Sequence, residues 1–276
     1  MNTLLGFPEG GSALPFGRVL RQWRDARHLS QLALATEAGI STRHLSFLET
    51  GRAQPSREMV QLLAGMLDVP LADRNALLIS AGYAPIYGDR PLGAPELEPV
   101  RRALQFILHQ QEPYPALVLD GQWNIVMRND AARRVFRQFR GPVDSGNVMR
   151  TVFDPQGLRP FIVNWEEVAL YFLRGVQADA IADGTRQTAE LLTRLLAFPG
   201  LPALSQNLPP GEAQAPVLII HFKSKETSLR LFTTIATLGT PHDVTLQEIR
   251  VECFFPMDDP TAEIFRGWAR GGGGPA

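Results

Sequence analysis

Residues 31–50 read QLALATEAGISTRHLSFLET, and the interpretation of the whole chain turns on them. Leu34 and Ala38 are four residues apart and share one helical face; Leu45 and Leu48 are three apart and share another. Ala35 is small enough to let two helices approach closely. Gly39 stands between the two faces, where a tight turn needs positive φ and a side chain would clash. Ile40 adds an apolar residue just after the turn. Ser30 and Ser41 each precede a helix and make good N-caps, because a serine hydroxyl accepts from an otherwise unpaired backbone N–H. Each sign is common alone. In register over one short window they describe a helix-turn-helix, whose second helix reads bases in the major groove; the alternative is an ordinary helical hairpin.

Working outward, a first helix is predicted over 16–27, with Phe16, Val19, Leu20 and Trp23 on one face. Helices two and three follow at about 31–38 and 42–50. Ser56 caps a fourth helix to about 67, with Met59, Leu62, Leu63 and Met66 at core spacing. Pro70 opens a fifth that Gly82 ends. The N-terminal part is therefore predicted as an all-α five-helix domain over 15–83, preceded by a flexible arm at 1–14.

With its flanks, LRQWRDARHLSQLALATEAGISTRHLSFLETGRAQPS (20–56) resembles the Xre/Cro-like helix-turn-helix regulators. The carriers are Arg24, Leu29-Ser30-Gln31, Ala38-Gly39-Ile40-Ser41, Leu45-Ser46, Leu48-Glu49, Gly51-Arg52 and Pro55-Ser56. The resemblance implies that Thr42, Arg43 and Phe47 contact bases, with His44 beside them and Ser41 at the head of the same helix. Arg43 suits a bidentate pair to guanine O6 and N7, and Thr42 or Phe47 a thymine methyl; core packing is the alternative for Phe47. Gln31, opening helix two, suits a phosphate. Arg52 and Ser56 fall where the family meets the DNA backbone. Arg24 and Glu49 match positions that pair internally.

Charge agrees with this placement. The 276-residue chain has a net charge of −1, yet 16–57 holds seven arginines against Asp25, Glu37 and Glu49. Basicity sits on the motif, where phosphates would lie, and the remainder is acidic. Cys253 is the one cysteine, which excludes an intrachain disulfide and a cysteine-based zinc site. It is expected to be a buried structural thiol. No secretion signal and no membrane-length apolar run is read, so a cytoplasmic protein without membrane contact is expected. The five histidines are scattered without metal spacing, and neither G-x-S-x-G nor a P-loop occurs. No enzymatic activity and no required cofactor are expected.

Residues 84–98, which begin APIYGDRPLGAP, read as a linker. A helix is predicted at 99–110. PALVLD (115–120) and WNIVMR (123–128) then form a hairpin around Gly121-Gln122. Helices follow at 129–139, 146–153, 164–182 and 185–197, and 199–214 is Pro-rich and loop-like. Strands are predicted at 217–223, 228–238 and 246–255. A last helix ends at 270, before a flexible tail at 271–276. Two strands, several helices and three antiparallel strands is the order of an α+β PAS-like fold, here placed over 99–270. PYPALVLDGQWNIVMRNDAA, LRPFIVNWEEVA and TPHDVTLQEIRVECFFP look like the ligand-binding domain of MmyB-like transcription regulators, and VPLADRNALLISAGYAPIY looks like the junction before it.

That resemblance implies a PAS-like sensor joined to a DNA-binding domain. Phe136, Phe153, Phe161, Trp165 and Phe222 are the candidate lining of an apolar cavity. Residues 228–238 alternate between two faces. The inward set is taken as Arg230, Phe232 and Thr234, with Arg230 holding a ligand carboxylate; Arg230 at the rim is the alternative. Trp123 and Asn129 are read as holding the hairpin and capping a helix. The expected protein is a homodimeric regulator of an operator in double-stranded DNA, answering to a small apolar effector such as a fatty acid. The alternative is a second domain that serves dimerisation or binds a protein partner without a ligand.

Overall fold

The computed structural model describes residues 14–139, 146–183, 186–201, 217–239 and 243–271. The predicted arm at 1–14 and tail at 271–276 lie almost wholly outside these residues, as does most of the Pro-rich stretch at 199–214. The chain forms two compact units, the first made of 1–89 with 177–190 and 241–244, the second of 90–176, 191–240 and 245–276.

The first unit is built on α1 (Phe16–Ala26), α2 (Gln31–Glu37), α3 (Thr42–Glu49), α4 (Arg57–Met66) and α5 (Leu71–Ser80). Its core gathers Leu20 and Trp23 of α1, Leu34 and Ala35 of α2, and Leu45 and Leu48 of α3. Burying a leucine of this kind contributes about 1.5–3 kcal/mol relative to leaving it exposed. Helix α4 corrects the sequence reading. Its inward stripe is Val60, Leu63 and Ala64, continued by Leu67, whereas Leu62 and Met66 are 37% and 41% exposed. Both stripes satisfy helical periodicity; the stripe closed by the small Ala64 is the one that packs.

Gly17 marks a close contact between α1 and α3. A Cβ there would lie 2.4 Å from the Glu49 carbonyl oxygen and 2.5 Å from that of Leu48. Only glycine lets α1 pass so near the end of α3.

The rest of the chain, most of it in the second unit, opens with a short 3₁₀ turn that leads into α6 (Glu98–Gln110), then β1 (Ala116–Leu119) and β2 (Ile125–Arg128). Next come α7 (Asp130–Gln138), α8 (Val148–Phe153), α9 (Trp165–Asp183) and α10 (Arg186–Leu196). Strands β3 (Leu218–Lys223) and β4 (Ser228–Thr237), α11 (Val244–Glu248), β5 (Arg250–Pro256) and α12 (Asp259–Arg270) complete it. The strands form an antiparallel sheet in the order β2-β1-β5-β4-β3. The third strand of the final group begins later than expected, because 244–248 is a helical turn.

Both sheet faces are covered at β1. All four residues of β1 are buried. Leu117 and Leu119 join the large core shared with α7, α8 and α9, while Ala116 and Val118 join a smaller core with Leu104 and Leu108 of α6. Cys253 belongs to the second face and is half-buried; burial raises its thiol pKa, with the Glu252 carboxylate adding to the effect. The hairpin is pinned as its residues suggest. Asn129 caps α7 by accepting from the Ala132 N–H at 2.9 Å and also accepts from the Ala116 N–H at 3.0 Å. Its amide donates to the Tyr114 carbonyl at 2.8 Å. Trp123, at φ 65°, is buried with its ring edge-on to Phe172.

Candidate nucleic-acid interface and effector cavity

The presentation of α3 is local physics. Ser41 accepts from the His44 N–H at 3.1 Å, and Ser30 caps α2 by accepting from Ala33 N–H at 3.0 Å. Gly39 adopts φ 65°, the left-handed turn its position requires. Ser41 is thus engaged in capping, the role that starts the helix.

Arg43 is exposed on the first turn of α3, with its guanidinium 5.3 Å from the Phe47 ring centroid. Thr42, His44 and Phe47 are half-exposed beside it. Phe47 is outside the buried core, so it helps hold the arginine at the surface. Arg52 is exposed in the loop after α3, which the Phe47 carbonyl ties by accepting from both Arg52 and Ala53 N–H. Ser56 is exposed and caps α4, accepting from Met59 N–H at 3.2 Å. Gln31 stands apart from these. Its side-chain amide donates to Glu49 at 2.8 Å, so the expected phosphate donor is held by a neighbour.

Glu49 organises the motif from within. Arg24 forks onto it, Nε to Oε1 at 2.6 Å and Nη2 to Oε2 at 3.2 Å, and reaches the Leu29 carbonyl at 2.7 Å. Hydrogen bonding to Glu49 is the main cause that raises the Arg24 pKa. The pair is buried, so removing one partner strands a charge, an effect of about 3–5 kcal/mol. The internal pairing expected for Arg24 and Glu49 is therefore present.

The second unit holds a cavity of about 50 Å³ between the sheet and the helices. Ala132, Val135 and Phe136 of α7 form one wall, and Val148, Thr151 and Val152 of α8 another. The sheet supplies Leu117, Ile220, Phe222, Leu231, Glu252 and Phe254. Of the expected lining, Phe136 and Phe222 are present. Phe153, Phe161 and Trp165 pack instead within the aromatic core, Phe153 against Trp165, Phe172 and Phe198, and Phe161 against Phe139.

Strand β4 reverses the expected facing. Leu229, Leu231 and Thr233 are buried toward the helices, while Arg230 and Thr234 are exposed. Phe232 stacks on Phe255 across the outer face, ring centroids 5.2 Å apart. Arg230 lies 3.9 Å from Asp258 rather than in the cavity. A strand that satisfies alternation in either register puts its uncharged, leucine-bearing set inward and leaves the arginine in water, which avoids burying a charge.

Glu252 was missed in the sequence. It is buried at 2% exposure and lines the cavity. Burial pushes its carboxyl up to about 7, and a hydrogen bond from Thr233 opposes the rise. The available signal was an acid inside an apolar strand, VECFF; its facing was not readable.

Comparison with known proteins fits both units. Residues 100–267 match the MmyB-like transcription regulator ligand binding domain, and residues 20–73 match a helix-turn-helix family. The HTH-type transcriptional regulator RghRB of Bacillus subtilis (strain 168), described as uncharacterized, is 39% identical over 70 residues. That stretch is 25% of this chain and 48% of RghRB, so the match spans about half of that relative. No helix among the described residues is long and apolar enough to cross a membrane. The chain belongs to the MmyB-like transcription regulators, with a helix-turn-helix DNA-binding domain followed by a ligand-binding domain.

Proposed function

We propose that the protein is a one-component regulator: a homodimer whose first unit binds an operator in double-stranded DNA and whose second, PAS-like unit senses a small apolar molecule in the cytoplasm. The carrying observation is the exposed Arg43 on a serine-capped recognition helix, backed by Phe47. Thr42 and His44 flank it, and Arg52 and Ser56 supply contacts to the DNA backbone. Effector binding alters operator affinity by favouring one dimer arrangement over another that spaces the half-sites differently.

Arg43→Ala weakens operator binding by about 1–3 kcal/mol and relaxes preference at one base pair. Arg52→Ala weakens binding to all sequences alike and lowers the salt slope by about one unit. Binding-site selection with both variants is the check; an unchanged sequence preference in Arg43→Ala removes Arg43 from base readout.

The apolar lining supports an effector with an apolar body. At about 50 Å³ the cavity has room for a few waters, and anything of drug size, about 300 Å³ or more, requires the surrounding side chains to move. A fatty acid suits the lining but brings its carboxylate to a cavity whose lining, among the described residues, holds no cationic side chain. Mass spectrometry on an extract of the denatured protein, with operator affinity measured before and after effector removal, tests the sensing role.

A second reading, in which the second unit serves subunit contact without a ligand, has one specific support. Phe106 and Ile107 of α6 are 64% and 39% exposed, beside Pro99 and Ala103. On that reading Phe106→Asp shifts a dimer to monomer in sedimentation and weakens operator binding through lost half-site coupling. A Phe106→Asp protein with unchanged mass in solution excludes this face.

A further inference from the structure

A carboxyl group lies buried in the wall of the second unit's cavity, and the described residues account for only half of it. Glu252 lies on β5, paired in register with Leu117 on one side and Ile235 on the other. It therefore shares the face on which Leu117 lines the cavity. The Thr233 hydroxyl bonds to the carboxyl, yet Oε2 is buried with no hydrogen-bond partner among the described residues. Apart from Thr151, whose hydroxyl donates to the Asn147 carbonyl at 2.8 Å, the rest of the lining is aliphatic or aromatic.

Two guanidinium groups share this sheet face. Arg128 is aligned with Leu117 on β2, and Arg250 precedes Glu252 by two residues. The first lies over the Phe136 ring and the second over the Trp123 ring, at 5.6 and 5.3 Å, and neither is among the groups acting on the Glu252 carboxyl. A half-satisfied buried acid opposes folding. An apolar residue of similar volume would pack this site at less cost, and among the described residues the carboxyl lacks its second partner.

We propose that Glu252 anchors the effector and receives a cationic, hydrogen-bond-donating head group of the alkylammonium class, with the ligand's apolar body filling the cavity. This rests on the sensing reading. An ammonium supplies three N–H donors and a compensating charge, so it satisfies Oε2 and the carboxylate together. A fatty-acid carboxylate supplies neither, and it sets a second negative charge against Glu252 whenever that acid is ionised. Burial holds the acid partly protonated near neutral pH; a bound cation draws it to the charged form.

Calorimetric titration of the full chain at neutral pH with n-hexylamine and with n-hexanoate, matched in length, tests the assignment. Hexylamine binds and hexanoate binds about tenfold or more weakly. Glu252→Gln lowers hexylamine affinity by about tenfold or more, the loss of a charge-assisted hydrogen bond, without changing the hexanoate result. Ala132→Leu, which fills the cavity and leaves the carboxyl in place, abolishes hexylamine binding and covers the case of a poorly folded Glu252→Gln protein. Hexanoate binding as tightly as hexylamine, full amine affinity in Glu252→Gln, or no amine binding to the unmodified chain overturns the proposal. Operator affinity measured in parallel separates the two readings. If hexanoate moves it equally with and without Glu252, sensing stands and the anchor falls. If hexylamine binds through Glu252 and operator affinity does not move, the anchor stands and sensing falls.

Discussion

Gly17→Ala unfolds or loosens the DNA-binding unit and abolishes operator binding. In an exposed helix the same change stabilises by about 1 kcal/mol, because alanine surrenders less backbone entropy than glycine. At Gly17 the new methyl group would sit 2.4 Å from one backbone carbonyl of α3 and 2.5 Å from another. Backbone cannot swing aside as a long side chain does, so α1 and α3 must separate. Overpacking of this kind costs about 1–3 kcal/mol and more where the backbone is fixed. The displaced atoms belong to Leu48 and Glu49, and Glu49 holds Arg24 and Gln31, so the disturbance reaches the buried ion pair. Gly65→Ala in α4 is the internal control. Nothing lies within 4 Å of a Cβ there, and the change stabilises by about 1 kcal/mol. Thermal unfolding of both variants decides the matter: equal stabilisation by the two alanines would falsify the close approach of α1 to α3.

Glu252 takes stability from the second unit as pH rises from about 4.5 to about 7, and Glu252→Gln removes that contribution. The native carboxyl is raised from 4.5 to about 7, with desolvation the first cause and the Thr233 hydrogen bond opposing it. Below pH 4.5 the acid is protonated in both folded and unfolded chains, and folding meets no penalty from it. Between the two values the unfolded chain gives up its proton while the native one retains it, so the equilibrium moves toward unfolding. Above about 7 both states are ionised and the difference stays constant. The span corresponds to a change on the order of 3 kcal/mol. Glutamine keeps the shape and has no proton to lose. Urea unfolding of the second unit's transition in the whole chain, at several pH values for both proteins, reads the difference directly. Other carboxylates contribute equally to the two proteins and cancel. A Glu252→Gln protein with the unmodified slope means that the carboxyl is solvated.

The recognition motif was legible because its determinants are local. Ser30, Gly39 and Ser41 act on backbone groups within a few residues, as caps and as a left-handed turn, and helical spacing alone separates Leu34, Ala38, Leu45 and Leu48 from the surface. The hairpin held by Asn129 and the family likeness of both halves were legible on similar grounds. The sequence by itself thus determined a helix-turn-helix regulator with an α+β second domain. Tertiary structure decided the rest wherever two patterns were equally periodic. Helix α4 offered two apolar stripes, and packing selected Val60, Leu63 and Ala64 over Leu62 and Met66. Strand β4 offered two faces, and the sheet turned Leu229, Leu231 and Thr233 inward, carrying Arg230 and Phe232 out of the cavity. Gly17 carries no local sign of its role, since the carbonyls it makes room for lie more than thirty residues away in sequence. Glu252 enters the core because β5 lies between β1 and β4 with this register; a shift of one residue would have put it on the opposite face. Period and propensity are properties of a segment, whereas facing, close approach and burial belong to pairs of segments, and only folding brings the pairs together.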